Sequence, residues 1–110
     1  MGTAEDRRRA PRYPIDFPLT IEVHGEVRQA RGVNISQGGL MVSTASALEM
    51  GAQVTLRFDL ANAGEMRLQG VVRHARDEGT GVEFIELSDE DRQTLHAYLR
   101  QAAAEALARL

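Results

Sequence analysis

Arg7, Arg8, Arg9 and Arg12 fall within six residues near the start of the chain, and Asn34, Ser36, Gly38 and Gly39 fall within six residues about one hairpin later. An arginine carries fixed charge on a planar fork that donates two parallel hydrogen bonds, either to a phosphate or to the O6 and N7 acceptors of guanine. It also stacks on a purine face. An asparagine carbonyl accepts from the guanine N1 and N2 donors while its amide donates to O6, and a serine hydroxyl adds an adaptable donor or acceptor. Gly38 and Gly39 remove side chains where a flat ligand would approach the backbone. In this order and spacing the two clusters have the chemistry of a site for an anionic purine compound.

Local geometry decides whether those groups can converge. Pro11 lacks a backbone donor and biases Ala10 toward extended structure, so a continuous helix through the arginines is not expected. In an extended segment Arg8 and Arg12 point to the same side roughly 13 Å apart, at about 3.3 Å per residue. A bend at the proline would bring the two guanidinium groups together. Asn34 and Ser36, two apart on a strand, share one face while Ile35 turns to the other. Each cluster also has a plainer reading. An arginine-rich arm can be a solvated terminus with loose attraction to nucleic acid, and Asn-x-Ser-x-x-Gly can be a strand ending in a polar turn. The combination separates the readings.

Composition bounds the answer. The chain has 110 residues, enough for one core, with 43% hydrophobic residues and a net charge of -3. The aromatics are Tyr13, Phe17, Phe58, Phe84 and Tyr98, which leaves few stacking platforms for single-stranded nucleic acid, and no specific nucleic-acid partner is expected. There is no cysteine, so disulfides and thiolate metal sites are excluded. No stretch reaches the roughly 18 apolar residues of a membrane span, and the charged N-terminus is unlike a signal peptide, so a cytoplasmic location is expected. His24, His74 and His96 are scattered without ligand spacing, and no nucleophile has an evident base partner. Neither an enzyme, a metal nor a resident cofactor is expected.

From residue 13 the apolar residues alternate with period two, the pattern of half-buried strands. Strands are expected at Ile15 to Val23, Val27 to Ser36, Leu40 to Ser43, Val54 to Leu60, Met66 to Arg76 and Gly81 to Leu87. Turns are expected at His24-Gly25, Met50-Gly51, Ala61 to Gly64 and Asp77 to Gly79. Six short antiparallel strands remove their open edges most simply by closing into a barrel. Ser88 followed by Asp89, Glu90 and Asp91 then starts a helix. Its apolar residues Leu95, Leu99, Ala102, Ala106 and Leu110 are expected to pack on the barrel, with Ala102 to Ala108 as an alternative partner surface. The expected layout is a flexible arginine-rich arm over 1–12, an all-β barrel over 13–87 and a C-terminal helix over 88–110.

With these residues located, the chain resembles the PilZ domain family of bacterial cyclic di-GMP receptors. The likeness is carried by Arg7-Arg8-Arg9-Ala10-Pro11-Arg12, by Asn34-Ile35-Ser36-Gln37-Gly38-Gly39, and by the later runs Gly70-Val71-Val72-Arg73-His74 and Gly81-Val82-Glu83-Phe84-Ile85-Glu86-Leu87. The resemblance implies a six-stranded antiparallel barrel with a C-terminal helix. It implies that Arg8 and Arg12 grip guanine edges and phosphates, that Asn34 and Ser36 contact a guanine, and that Gly39 gives clearance. Arg7 would add charge or touch a second stacked ligand, and Arg9, in the variable segment, would have no role. The implied function is a cyclic di-GMP receptor that changes conformation on binding and signals to a downstream protein not identified by the sequence. The alternative is an adaptor on the same fold that needs no ligand.

Overall fold

Period-two alternation builds strands through most of the chain, and a change to helical spacing ends it. The computed structural model describes residues 10–60, 64–76 and 79–110. The strands are β1 (Tyr13–Pro14), β2 (Pro18–Val23), β3 (Glu26–Ile35), β4 (Gly39–Thr44), β5 (Gln53–Leu60), β6 (Gly64–Arg76) and β7 (Gly79–Ile85), followed by helix α1 (Asp89–Ala108). The sheet runs β1-β3-β2-β5-β6-β7-β4, and β3 also pairs with β4. Strands β2 to β7 thus close into the six-stranded antiparallel barrel expected from the sequence, with β1 as one addition.

The barrel interior is aliphatic, as the scarcity of aromatics implies. Ile21, Ile35, Leu40, Val42, Leu56 and Val72 are among its fully enclosed side chains. The β2–β3 connection is the two-residue hairpin expected at His24-Gly25. Both residues have positive φ, 52° and 79°, the backbone that a type I′ turn needs to match the twist of the strands.

The first expected strand is divided. Tyr13 and Pro14 pair with Ile35 and Asn34 at the far end of β3, and β2 begins only at Pro18. Pro14 and Pro18 have no N–H to give a continuous ladder. Between them Ile15 donates its N–H to the Val33 carbonyl at 3.0 Å, and Ile15 and Phe17 turn onto the core. The Phe17 ring stacks on Phe58 with centroids 5.4 Å apart.

Two strands carry an extra residue. In β3 the register shifts between Gly32, opposite Val42, and Asn34, opposite Met41. In β6 it shifts between Val72, opposite Val82, and His74, opposite Gly81. Val33 and Arg73 are therefore bulged residues. Each bulge reverses the alternation, so that Asn34 and His74 leave the inward phase for the outer face.

The Ser88 hydroxyl accepts from the Asp91 N–H at 3.0 Å and caps α1, with three acids in the first turn as its dipole favours. Burial on this helix is uneven. Leu95 is fully enclosed, and Tyr98 and Leu99 pack partly on the core. Burial first, and the negative charge of Glu105 second, push the Tyr98 phenol above its ordinary pKa. Beyond Ala103 the apolar stripe is uncovered, with Leu107 69% and Leu110 99% exposed, so the last turn of the helix and the residues after it pack on nothing among the described residues. Among the described residues no helix is long and apolar enough to cross a membrane.

Leu95 is the side chain that pins α1 to the barrel. Leu95→Ala is expected to cost about 2–5 kcal/mol in urea unfolding, through lost burial and the cavity left behind, whereas Leu107→Ala should stay within about 0.5 kcal/mol of the parent.

Candidate functional site

The two reversed strands face each other across a floor without side chains. Strands β7 and β4 lie between β6 and β3 in the closed sheet. A cleft of about 250 Å³ opens over them, floored by Gly38, Gly39 and Gly81 and walled by Arg12 and Ser36 on one side and Arg73, His74 and Glu83 on the other.

On the first wall the register of β1 sets the geometry. Because Tyr13 lies opposite Ile35, Arg12 arrives beside the end of β3. Its Nη1 donates to the Asn34 Oδ1 at 3.0 Å, joining the two sequence clusters by one side-chain contact across 22 positions. Asn34 does not itself line the cleft. Its Oδ1 orients Arg12, and its Nδ2 lies 4.0 Å from the Met41 sulfur. Without the bulge at Val33 its side chain would point into the core. Arg7, Arg8 and Arg9 lie outside the described residues.

Ser36 is only 3% exposed, and its hydroxyl is engaged within the loop. Its Oγ accepts from the Gly38 N–H at 3.3 Å and lies 3.5 Å from the Gly39 carbonyl, while the Ser36 N–H donates to that same carbonyl at 2.9 Å. The serine thus fixes the tight connection between β3 and β4 and remains at the cleft edge. The plainer reading of Asn-x-Ser-x-x-Gly, a strand ending in a polar turn, describes how this serine is used locally. The Gly38 carbonyl accepts from the Phe84 N–H at 2.9 Å, which ties the loop to β7.

Gly39 has a structural requirement of its own. A Cβ there would overlap the Val82 carbonyl oxygen of β7, so the approach of two strands demands glycine at this point whatever lies above it. Gly81 differs. A Cβ there would come within 2.5–2.8 Å of both ring nitrogens of His74, whose imidazole occupies the space above the glycine. The His74 Nδ1 is buried with no hydrogen-bond partner among the described residues.

Arg73, His74, Gly81 and Glu83 belong to the cleft but were given no role by the sequence. Strict alternation along β6 assigns His74 to the interior, and the bulge that reverses it has no signature in residue type. Arg73 donates through Nε to the Glu83 Oε1 at 2.6 Å, with the Glu83 side chain 18% exposed and that of Arg73 54% exposed. Among the described residues the cleft presents one arginine from each wall, and the one carboxylate that lines it, that of Glu83, is paired with the second. Such an arrangement suits an anion with flat rings. Among the described residues no group of three or more His, Cys, Asp or Glu could hold a metal ion.

The PilZ domain family model matches residues 6–101. The UDP-forming cellulose synthase catalytic subunit of Xanthomonas axonopodis pv. citri (strain 306) is 33% identical over 102 residues, covering 88% of this chain but only 14% of that subunit. The chain thus corresponds to a small part of this curated relative. Among solved structures, the PilZ domain of YcgR from Escherichia coli with c-di-GMP superposes with a TM-score of 0.75 at 13% identity, covering 94% of this chain and 96% of that one. The MrkH–c-di-GMP complex of K. pneumonia gives 0.76 at 23% identity, covering 94% and 55%. At these identities the likeness establishes the fold.

The Gly39 backbone contact leads to one expectation here. Gly39→Ala should lower stability by about 1–3 kcal/mol in urea unfolding, because a carbonyl in a paired strand yields less readily than a side chain. A stability equal to that of the parent would contradict the close approach of β4 and β7.

Proposed function

Because the chain belongs to the PilZ domain family, we propose that it is a receptor for cyclic di-GMP, which it takes up in the glycine-floored cleft. The observation that supports this reading is the contact of Arg12 with Asn34, beside a cleft that Arg12, Ser36, Gly38 and Gly39 line. Neither cluster needs the other for the barrel to close. YcgR and MrkH, whose structures carry c-di-GMP, share the fold.

The chemistry follows from the groups in place. Arg12 keeps donors beyond the one held by Asn34 and offers a fork to a phosphate or to the Hoogsteen edge of guanine. Gly38 and Gly39 let a base lie close to the backbone. Arg7 and Arg8 supply further charge from the arm, and ordering that arm costs roughly 1–2 kcal/mol per residue, offset by charge-assisted hydrogen bonds to a doubly charged ligand. Binding then changes the shape of this end of the barrel. A downstream protein that prefers the closed arm reads the change, since a ligand shifts a population only through different affinities for its states. The exposed Leu107 on α1 and Leu110 just past its end offer such a protein an apolar contact. The process takes place in the cytoplasm and involves neither catalysis nor a specific nucleic acid.

Calorimetric titration with cyclic di-GMP, with the adenine analogue as control, tests the assignment. Saturable binding of the guanine compound is expected, with the adenine compound at least tenfold weaker. Equal binding of the two would mean that only the phosphates are read. Arg12→Lys keeps the charge and loses the fork, and should cost at least ~1 kcal/mol, about fivefold in Kd. Unchanged affinity would remove the bidentate role of Arg12.

A further inference from the structure

We propose that Arg73, on the β6 bulge, is a second ligand-gripping arginine, and that Glu83 is the residue that positions it. The inference rests on the cyclic di-GMP reading of the cleft and assigns the wall opposite Arg12 to one of the ligand's two phosphates.

Three observations carry it. The extra residue in β6 is Arg73 itself, so the ladder that would fix it in the sheet is interrupted there, and its side chain stands at the cleft from the outer face. Its guanidinium is engaged only through Nε, which donates to the Glu83 Oε1 at 2.6 Å. The two terminal nitrogens make no hydrogen bond among the described residues. A guanidinium held by one nitrogen and open at the other two is an oriented fork, not a closed ion pair. Finally, Glu83 sits on β7 directly opposite Gly39 on β4, and its side chain is largely buried, so the anchor of Arg73 is itself fixed to the glycine floor.

The symmetry of the ligand gives this arrangement its use. Cyclic di-GMP carries two phosphates related by a twofold, and a single arginine cluster on one rim reaches one side of the ring. Arg12 and Arg73 rise from opposite walls of the same cleft. His74, next to Arg73, sets its ring against Gly81, where a Cβ would collide with it. Glu83 does not touch the ligand. It sets the direction of the fork and withholds Nε from solvent.

Isothermal calorimetry with cyclic di-GMP on the full chain tests the assignment, with thermal midpoints of the free proteins as the folding control. Arg73→Ala should weaken binding at least tenfold at an unchanged midpoint. Arg73→Lys should recover at least half of that loss on a logarithmic scale, because a phosphate accepts a point charge. Glu83→Gln should weaken binding at least threefold in the parent and less than 1.5-fold in the Arg73→Ala background, a coupling that a purely structural role would not produce. A parent that binds while Arg73→Ala binds within twofold of it overturns this inference and leaves the functional reading intact. Arg73→Lys as weak as Arg73→Ala overturns the phosphate contact, and equal effects of Glu83→Gln in both backgrounds overturn its positioning role. Failure of the parent to bind overturns the functional reading and this inference together.

Discussion

A strand gives a sheet face only every second side chain, and that alternation governs this molecule. In β3 the residues opposite Leu19, Ile21 and Val42 are Ala30, Arg28 and Gly32, all on the inward phase. Continued without interruption, the same phase would send Asn34 into the core and Ile35 into water. The single extra residue at Val33 reverses it, so Ile35 becomes fully buried and Asn34 meets Arg12 on the outer face. The Arg12–Asn34 contact and the burial of Ile35 are thus consequences of one bulge. Arg73 repeats the device in β6, and the cleft lies between the two sites where the ladder is broken.

Between those sites the strands come together with little side chain above them. Gly39 is required because the Val82 carbonyl occupies the space of a Cβ, and Gly81 because the His74 ring does. The floor of the cleft is consequently backbone, and the polar side chains stand on the walls. Charge is distributed in the same way. Arginines stand on both sides, and among the described residues the one carboxylate that lines the cleft is tied to Arg73. On a chain with a net charge of -3, the positive character of this site is local.

Much of the barrel is legible in residue order. Val54, Leu56, Phe58 and Leu60 alternate in the sequence and are all buried along β5. His24-Gly25 makes the turn its composition suggests, and Ser88 caps α1. Arg12, Asn34 and Ser36 stand out in the sequence as members of two clusters, and in the structure Arg12 meets Asn34 and shares a cleft with Ser36. Three features were not visible. The bulges at Val33 and Arg73 have no residue signature, so the wall formed by Arg73, His74 and Glu83 went unassigned. The division of the first strand follows from Pro14 and Pro18 together with contacts of Ile15 and Phe17 that no local pattern encodes. Ala106 and Leu110 keep the helical spacing of Leu95 and Leu99 but lie past the edge of the barrel, because periodicity records a face and not what covers it.

The central claim is that two polar clusters and a glycine floor form one site at one end of the barrel. A titration of ¹⁵N-labelled protein with cyclic di-GMP, followed by NMR, addresses it most directly. The account predicts shifts at the backbone amides of Ser36, Gly38, Gly39 and Gly81 and at the Arg12 Nε, with Gly25, in the hairpin at the other end of β3, unchanged. Shifts confined to Gly25, or a spectrum that does not respond at saturating ligand, would contradict it.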